Sequence, residues 1–101
     1  MTATRHIREA WIEGDRVRVK LTPDAPAETL ETLRAVKPAI LLIHEAAGIA
    51  RCNEPLHVLI HEFRQDLELM AAGTWTVQTV ATAITTIGPG YGWQFKREKA
   101  A

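Results

Sequence analysis

The chain has 101 residues, and its net charge is zero because 12 basic side chains balance 12 acidic ones. The length predicts one domain with a single core. The charge balance excludes a global electrostatic field that would attract nucleic acid or an anionic membrane. Cys52 is the only cysteine, which excludes an internal disulfide and fits a reducing compartment. Charges occupy the N-terminus where a signal peptide needs an apolar core, and the longest apolar run, PAILLI, is too short to span a bilayer, so we expect a cytoplasmic protein with no membrane contact.

Residues 6–21 predict a β-hairpin with two chemically different faces. Gly14-Asp15 separates two alternating runs, and a glycine at the first central position suits a two-residue type II′ turn. This turn fixes a register in which Glu13 lies opposite Arg16. One face is then apolar and comprises Ala10, Ile12, Val17, Val19 and Leu21. The opposite face, here called the polar face, comprises Glu9, Trp11, Glu13, Arg16, Arg18 and Lys20.

The polar face is the candidate partner-binding surface, and all six of its residues are candidate contacts. It combines opposite-charge pairs with a tryptophan beside an arginine, which is typical both of a well-paired solvated face and of an interface anchor. A hairpin also has open edges. A partner peptide could add a strand there and contact Arg16, Arg18 and Lys20 through its own acidic residues, unless another segment of this chain covers the edge.

A first helix is predicted after the hairpin. In the segment TPDAP, Asp24 is a candidate N-cap and Pro26 suits the first helical turn. The helix should run to about Val36 and end before the Lys37-Pro38 pair, since a residue that precedes proline avoids the helical region. Its predicted buried stripe comprises Ala27, Leu30 and Leu33.

A second helix should begin at Pro38 and end at Gly48. Residues 39–43 are apolar nearly all round. A helix of that kind must be buried on most sides. Either the hairpin and the later helices cover it, or a second copy of the chain does so in a homodimer.

The succession AWIEGDRVRVKLTP and LRAVKPAILLI resembles the TubC-type N-terminal docking domains, which begin subunits of bacterial hybrid polyketide and non-ribosomal peptide assembly lines. The resemblance covers the hairpin and helix pair of residues 6–48. It implies a small α+β unit of a hairpin with three helices, often dimeric, that captures the tail of an upstream subunit along the hairpin. Carried over by position, Trp11, Arg16, Arg18 and Lys20 would face the partner. Similar segments also occur in proteins of plasmids and other mobile elements.

A third helix is predicted from Asn53, a candidate cap, and Pro55 to about Gly73. Its core stripe comprises Leu56, Leu59, Ile60, Phe63, Leu67 and Met70.

Two histidines on this helix are the weak candidates for a metal site. His57 and His61 are four residues apart, so both imidazoles could reach one ion, with Cys52 just upstream and Glu62 or His44 as a further ligand. The order H-x-x-x-H-E differs, however, from the H-E-x-x-H of zinc peptidases. We therefore interpret them as ordinary, partly exposed histidines and predict neither a metal nor another cofactor.

Residues 74–87 fit either a helix or a strand, because helical spacing competes with a high density of Thr, Val and Ile. We predict a helix that ends at Gly88, with an apolar stripe of Val77, Val80, Ala81, Ile84 and Ile87. The following GPGYG lacks the Lys-Ser/Thr of a phosphate-binding loop and is interpreted as a turn.

The last segment alternates aromatic and other residues. Tyr91, Trp93 and Phe95 could form a short third strand beside the hairpin, which would cover one of its edges. The remaining KREKAA is predicted to be a frayed, basic tail.

These elements predict one α+β domain over residues 1–101. The N-terminal hairpin, with a possible third short C-terminal strand, packs on about four short helices, and residues 53–101 form a helical extension with a Gly/aromatic end. No general base with an orienting partner is evident. The leading hypothesis is a non-enzymatic docking or adaptor module that binds a protein or peptide through the hairpin.

Two other functions stay open at this point. A small phage- or plasmid-encoded inhibitor of a larger complex, such as a defence system, would also be short and lack a catalytic site. Nucleic-acid contact through Arg16, Arg18, Lys20 and the tail is the third hypothesis, and the steep salt dependence of phosphate binding would distinguish it.

Overall fold

A computed structural model describes residues 1–96. They form an antiparallel two-stranded hairpin packed on helices, so the predicted α+β class is confirmed. The elements in chain order are a 3₁₀ turn at Ala3–His6, β1 at Ile7–Glu13, β2 at Arg16–Leu21, α1 at Thr29–Ala35, α2 at Lys37–Ala50, α3 at Leu56–Glu62, α4 at Leu67–Ala71 and α5 at Val77–Tyr91. Apart from Lys96, the predicted basic tail lies outside the described residues.

The hairpin has the predicted turn and register. Gly14 has a φ of 66° whereas Asp15 has a negative φ, which is the combination that a type II′ turn requires. Glu13 pairs with Arg16, and the pairing continues in the same register to Glu9 opposite Lys20. All six residues of the polar face are exposed, and the apolar face is turned toward the helices.

The centre of the core is α2. Ala39, Ile40, Ile43 and Ala46 are at most 1% exposed, and α2 is packed by α3, α4, α5 and β2. The chain itself therefore covers most of the helix. The helix does not end at Gly48 as predicted but continues to Ala50.

The first helix begins later than predicted. Its N-cap position is Glu28, whose side chain makes no capping hydrogen bond, so the prediction that Asp24 caps this helix is wrong. Asp24 instead belongs to the turn after β2, where a hydrogen bond from the Thr22 side chain lowers the pKa of its carboxyl group. His6 Nδ1 lies 4.0 Å from the same carboxylate.

The predicted stripe of α1 is only partly buried. Leu33 is in the core, whereas Ala27 precedes the helix and is exposed. Leu30 is on the helix but is 39% exposed. The prediction is therefore wrong for Ala27 and Leu30.

The predicted third helix is divided into α3 and α4. All six residues of its core stripe are buried, but the backbone turns between Phe63 and Asp66, where the Asp66 N–H donates to the Phe63 carbonyl at 2.9 Å. The predicted cap is also wrong. The Asn53 backbone N–H donates a hydrogen bond to the Gln94 carbonyl at 2.7 Å. No side chain caps α3.

The helix predicted for residues 74–87 is confirmed as α5. Thr76 caps it, because its Oγ1 accepts a hydrogen bond from the Thr79 N–H at 3.1 Å. The helix does not end at Gly88 but includes Pro89 and continues to Tyr91. The prediction of a turn at GPGYG is thus wrong for its first four residues, and Gly92 ends the helix with a φ of 74°.

The predicted third strand is not formed in the part of the chain that the structure describes. Tyr91 belongs to α5, Trp93 is buried, and Phe95 makes a single antiparallel bridge to Cys52. The C-terminal segment therefore pairs with the chain just after α2 and not with the hairpin. The sheet consists of β1 and β2 alone among residues 1–96.

Candidate functional site

The outer edge of β2 presents unpaired backbone groups. Glu13 and Arg16 flank a two-residue turn and so form a hydrogen-bonded pair, and hydrogen-bonded and non-bonded pairs alternate along the ladder from there. Arg18 therefore points its N–H and C=O toward β1, whereas Val17 and Val19 point theirs to the free edge. Neither valine has a backbone hydrogen bond to another described element. This edge is open to an added strand.

Beside this edge lies a groove of about 360 Å³ between β2, α1 and the start of α2. We call it the β2 groove. Its apolar lining comprises Val17, Val19, Leu30, Leu33 and Ile40. Its cationic lining comprises Arg16, Arg18, Arg34 and Lys37. The groove thus joins an apolar surface to a positively charged one.

The polar face of the hairpin is largely neutralised by pairs within it. Arg18 Nε lies 3.5 Å from a carboxylate oxygen of Glu13, and Lys20 Nζ lies 3.5 Å from one of Glu9. The Lys20 ammonium is also 5.8 Å from the centre of the Trp11 ring, within the range of a cation–π interaction. All these side chains are well exposed, so each ion pair contributes only about 0–1 kcal/mol to stability.

Three of the four cations that line the groove have no such partner. Arg16, Arg34 and Lys37 make no ion pair with another residue of the described range. All three line the β2 groove. Uncompensated positive charge therefore lines the groove, and one of its three carriers, Arg16, also belongs to the polar face.

The structure brings the six predicted site residues together but adds residues that the sequence interpretation missed. Trp11 is 37% exposed on the polar face, among the charged residues that were expected around it. The missed residues are Leu30, Arg34 and Lys37, which form the far wall of the groove. Leu30 and Arg34 are four residues apart on α1, but Lys37 belongs to α2, so no single helical periodicity relates the three.

The weak metal candidates do not form a cluster. His61 Nδ1 lies 2.9 Å from Thr4 Oγ1, and His57 Nδ1 is buried without a hydrogen-bond partner. Cys52 pairs with Phe95 after α2, where burial raises the pKa of its thiol. Within residues 1–96, no group of three or more His, Cys, Asp and Glu side chains is arranged to hold an ion.

A second cavity, of about 380 Å³, lies between the N-terminal turn, α3 and the end of α5. The Tyr91 ring, at its rim, stacks on Trp93 with the ring centres 5.5 Å apart. A hydrogen bond to the carboxylate of Glu62 raises the pKa of Tyr91. This cavity lies outside the β2 groove and shares no lining residue with it.

Comparison of the chain with protein-family models, with curated proteins and with solved structures finds no match. The resemblance of residues 6–48 to docking domains therefore stays a prediction. Each helix of the described range is too short or too polar to cross a membrane.

Proposed function

We propose that this protein is a non-enzymatic docking module that captures an extended, acidic segment of another protein in the β2 groove. The observation that carries the proposal is the coincidence of three features: an unpaired strand edge, an apolar lining and uncompensated cations. In strand addition, backbone hydrogen bonds supply affinity while alternate side chains supply specificity.

The register of β2 defines the sequence pattern of such a segment. Residues that pair with Val17 and Val19 point to the same side as these valines, into the groove, and should be apolar. Their neighbours point to the polar face, opposite Arg16 and Arg18, where positive charge favours acidic residues. The preferred segment therefore alternates acidic and apolar residues.

The TubC-type resemblance supports the same general role. Under that hypothesis the partner is the tail of an upstream subunit in a bacterial assembly line, and docking takes place in the cytoplasm. The proposed mode of recognition does not depend on this identity, because it is argued from the edge, the groove and its charges.

Peptide display tests the proposal directly. The immobilised full chain is used to select from a library of random peptides, in parallel with the variant Arg16→Gln/Arg34→Gln/Lys37→Gln. We expect the wild-type chain to enrich peptides that alternate acidic and apolar residues and the variant to lose this enrichment. Enrichment of basic peptides, or equal enrichment by both proteins, would contradict the proposal.

Amide hydrogen exchange tests the strand-addition mode separately. The Val17 and Val19 amides should exchange fast in the free protein because they face the open edge, whereas the Arg18 amide should be slow. A selected peptide should slow exchange at both valines. Binding that left their exchange unchanged would show that the peptide docks on side chains alone.

A further inference from the structure

The five cations that lie on β2 or line the β2 groove fall into two classes according to whether the chain already supplies them with a carboxylate. Arg18 and Lys20 each have a glutamate 3.5 Å away. Arg16, Arg34 and Lys37 have none among the residues that the structure describes. All three cations of the second class line the β2 groove, and so does Arg18 of the first class.

We propose that Glu9 and Glu13 act as internal competitors that hold Lys20 and Arg18 and thereby confine recognition of a partner's acidic residues to Arg16, Arg34 and Lys37. This inference rests on the proposed function and names its specificity-determining residues. Glu9 and Glu13 determine specificity, because their ion pairs leave only three of the five cations available to a ligand.

The position of Glu13 carries the argument. In the strand register Glu13 lies opposite Arg16, yet its carboxylate is paired with Arg18 Nε, diagonally across the hairpin. A partner carboxylate that approached Arg18 would have to displace Glu13 or lie beside it, and like charges that close repel one another. Arg16 has no carboxylate of the described residues within ion-pair distance. The acidic position opposite Arg16 should therefore be required, whereas the position opposite Arg18 should accept neutral residues.

The far wall of the groove reinforces this preference. Arg34 is in the last turn of α1 and Lys37 is the first residue of α2, and both line the same groove as Arg16. The three uncompensated cations thus surround the strand edge at which the partner segment would pair.

Fluorescence anisotropy with a defined probe tests the inference. The probe is a fluorescein-labelled, end-blocked hexapeptide in which glutamate and valine alternate, and its glutamine-for-glutamate counterpart is the negative control. We expect Glu9→Gln and Glu13→Gln each to strengthen binding of the acidic probe about 2–5-fold, since the released cation becomes available. Glu45→Gln, an exposed charge change on α2 outside the groove, should leave the affinity unchanged.

Substitution of the cations completes the test. Arg16→Gln, Arg34→Gln and Lys37→Gln should each weaken binding about 2–5-fold, as expected for the loss of an exposed charged contact, whereas Arg18→Gln and Lys20→Gln should change it less than twofold. Greater losses at Arg18 and Lys20, or weaker binding after the glutamate substitutions, would overturn the inference while leaving docking intact. If wild-type protein does not bind the acidic probe in preference to its glutamine counterpart, the proposed function itself fails.

Discussion

Gly88 is buried inside α5 and is covered by two aromatic rings. A Cβ atom built at this position would lie 2.6 Å from Phe95 Cζ and 3.1 Å from Trp93 Cε3. Both rings belong to the segment that closes over the end of α2, so a side chain at Gly88 must push that segment away. The glycine is required here by packing, since its backbone is helical.

We predict that Gly88→Ala lowers the free energy of unfolding by about 1–3 kcal/mol, the usual cost of overpacking a core, although alanine is the better helix former by about 1 kcal/mol. Gly48→Ala is the matched control, because a Cβ there meets no atom within 4 Å. It should raise stability by about 0.5–1 kcal/mol. Urea denaturation measures both changes. Equal stabilisation by the two variants would show that the rings do not cover Gly88.

Tyr91 gives a clean titration signal because it is the only tyrosine in the chain. Its hydrogen bond to the Glu62 carboxylate favours the protonated phenol, and the negative charge of Glu62 adds to the effect, so the pKa of Tyr91 lies above its usual value of 10.0. Glu62→Gln removes the charge. The Tyr91 pKa should then fall toward the usual value.

Absorbance at 295 nm as a function of pH follows this ionisation. We expect the wild-type midpoint above that of a free tyrosine, about 10, and a lower midpoint in Glu62→Gln. Glu68→Gln, an exposed charge change on α4, should leave the midpoint where it is in the wild type. An unchanged midpoint in Glu62→Gln would mean that the hydrogen bond is absent in solution.

At the scale of elements, the hairpin and α2 could be predicted from local signals. Gly14-Asp15 sets the turn, the alternation of side chains sets the register, and Pro38 marks the start of a helix. These features act between residues close in sequence, so the sequence displays them directly.

Features that depend on distant contacts could not be read in this way. The helix α5 continues through Gly88 and Pro89, which are helix breakers by local preference, because Trp93 and Phe95 pack over its last turn. The α3–α4 turn preserves the buried stripe and so leaves no trace in the periodicity. The far wall of the β2 groove was missed for the same reason. Leu30 has the spacing of a core residue, and only the tertiary arrangement leaves it beside an open strand edge.

Among the α-helices of the described range, α5 is distinguished by a side-chain N-cap, supplied by Thr76. We predict that Thr76→Ala costs about 1 kcal/mol and lowers the melting temperature by roughly 4–8 °C. Thr82→Ala, at an exposed position in the middle of α5, should be neutral or slightly stabilising because alanine favours the helix. Thermal unfolding followed by circular dichroism compares the two. An equal loss in both variants would argue against a capping role.

At the scale of the whole molecule, the chain has no net charge, but its charges are distributed unevenly over the surface. The polar face pairs most of its charges internally, while the β2 groove keeps three cations without carboxylate partners. An open strand edge is also a hazard, because it can pair with the same edge of a second copy. The cations beside the edge should therefore act twice, by selecting acidic partners and by preventing self-pairing.

Antiparallel pairing of two β2 edges would bring Arg16, Arg18 and Lys20 of one copy opposite the same residues of the other. Like charges directly opposite each other destabilise a sheet. A homodimer, which stays a prediction from the sequence, must then use another surface. We predict that the wild-type chain does not associate through β2, whereas Arg16→Thr/Arg18→Thr/Lys20→Thr, which leaves a neutral and strongly β-forming edge, self-associates.

Sedimentation velocity over a range of protein concentrations at low salt distinguishes the two proteins. Arg5→Gln/Arg34→Gln/Lys37→Gln removes the same charge away from the strand, so it controls for a general loss of repulsion and should sediment like the wild type. A wild-type dimer that dissociates in the threonine variant would reverse the conclusion, because the β2 edge would then already be an interface between copies. Association of the threonine variant alone would show that the charges on this edge prevent self-pairing and so leave the edge available to a different chain.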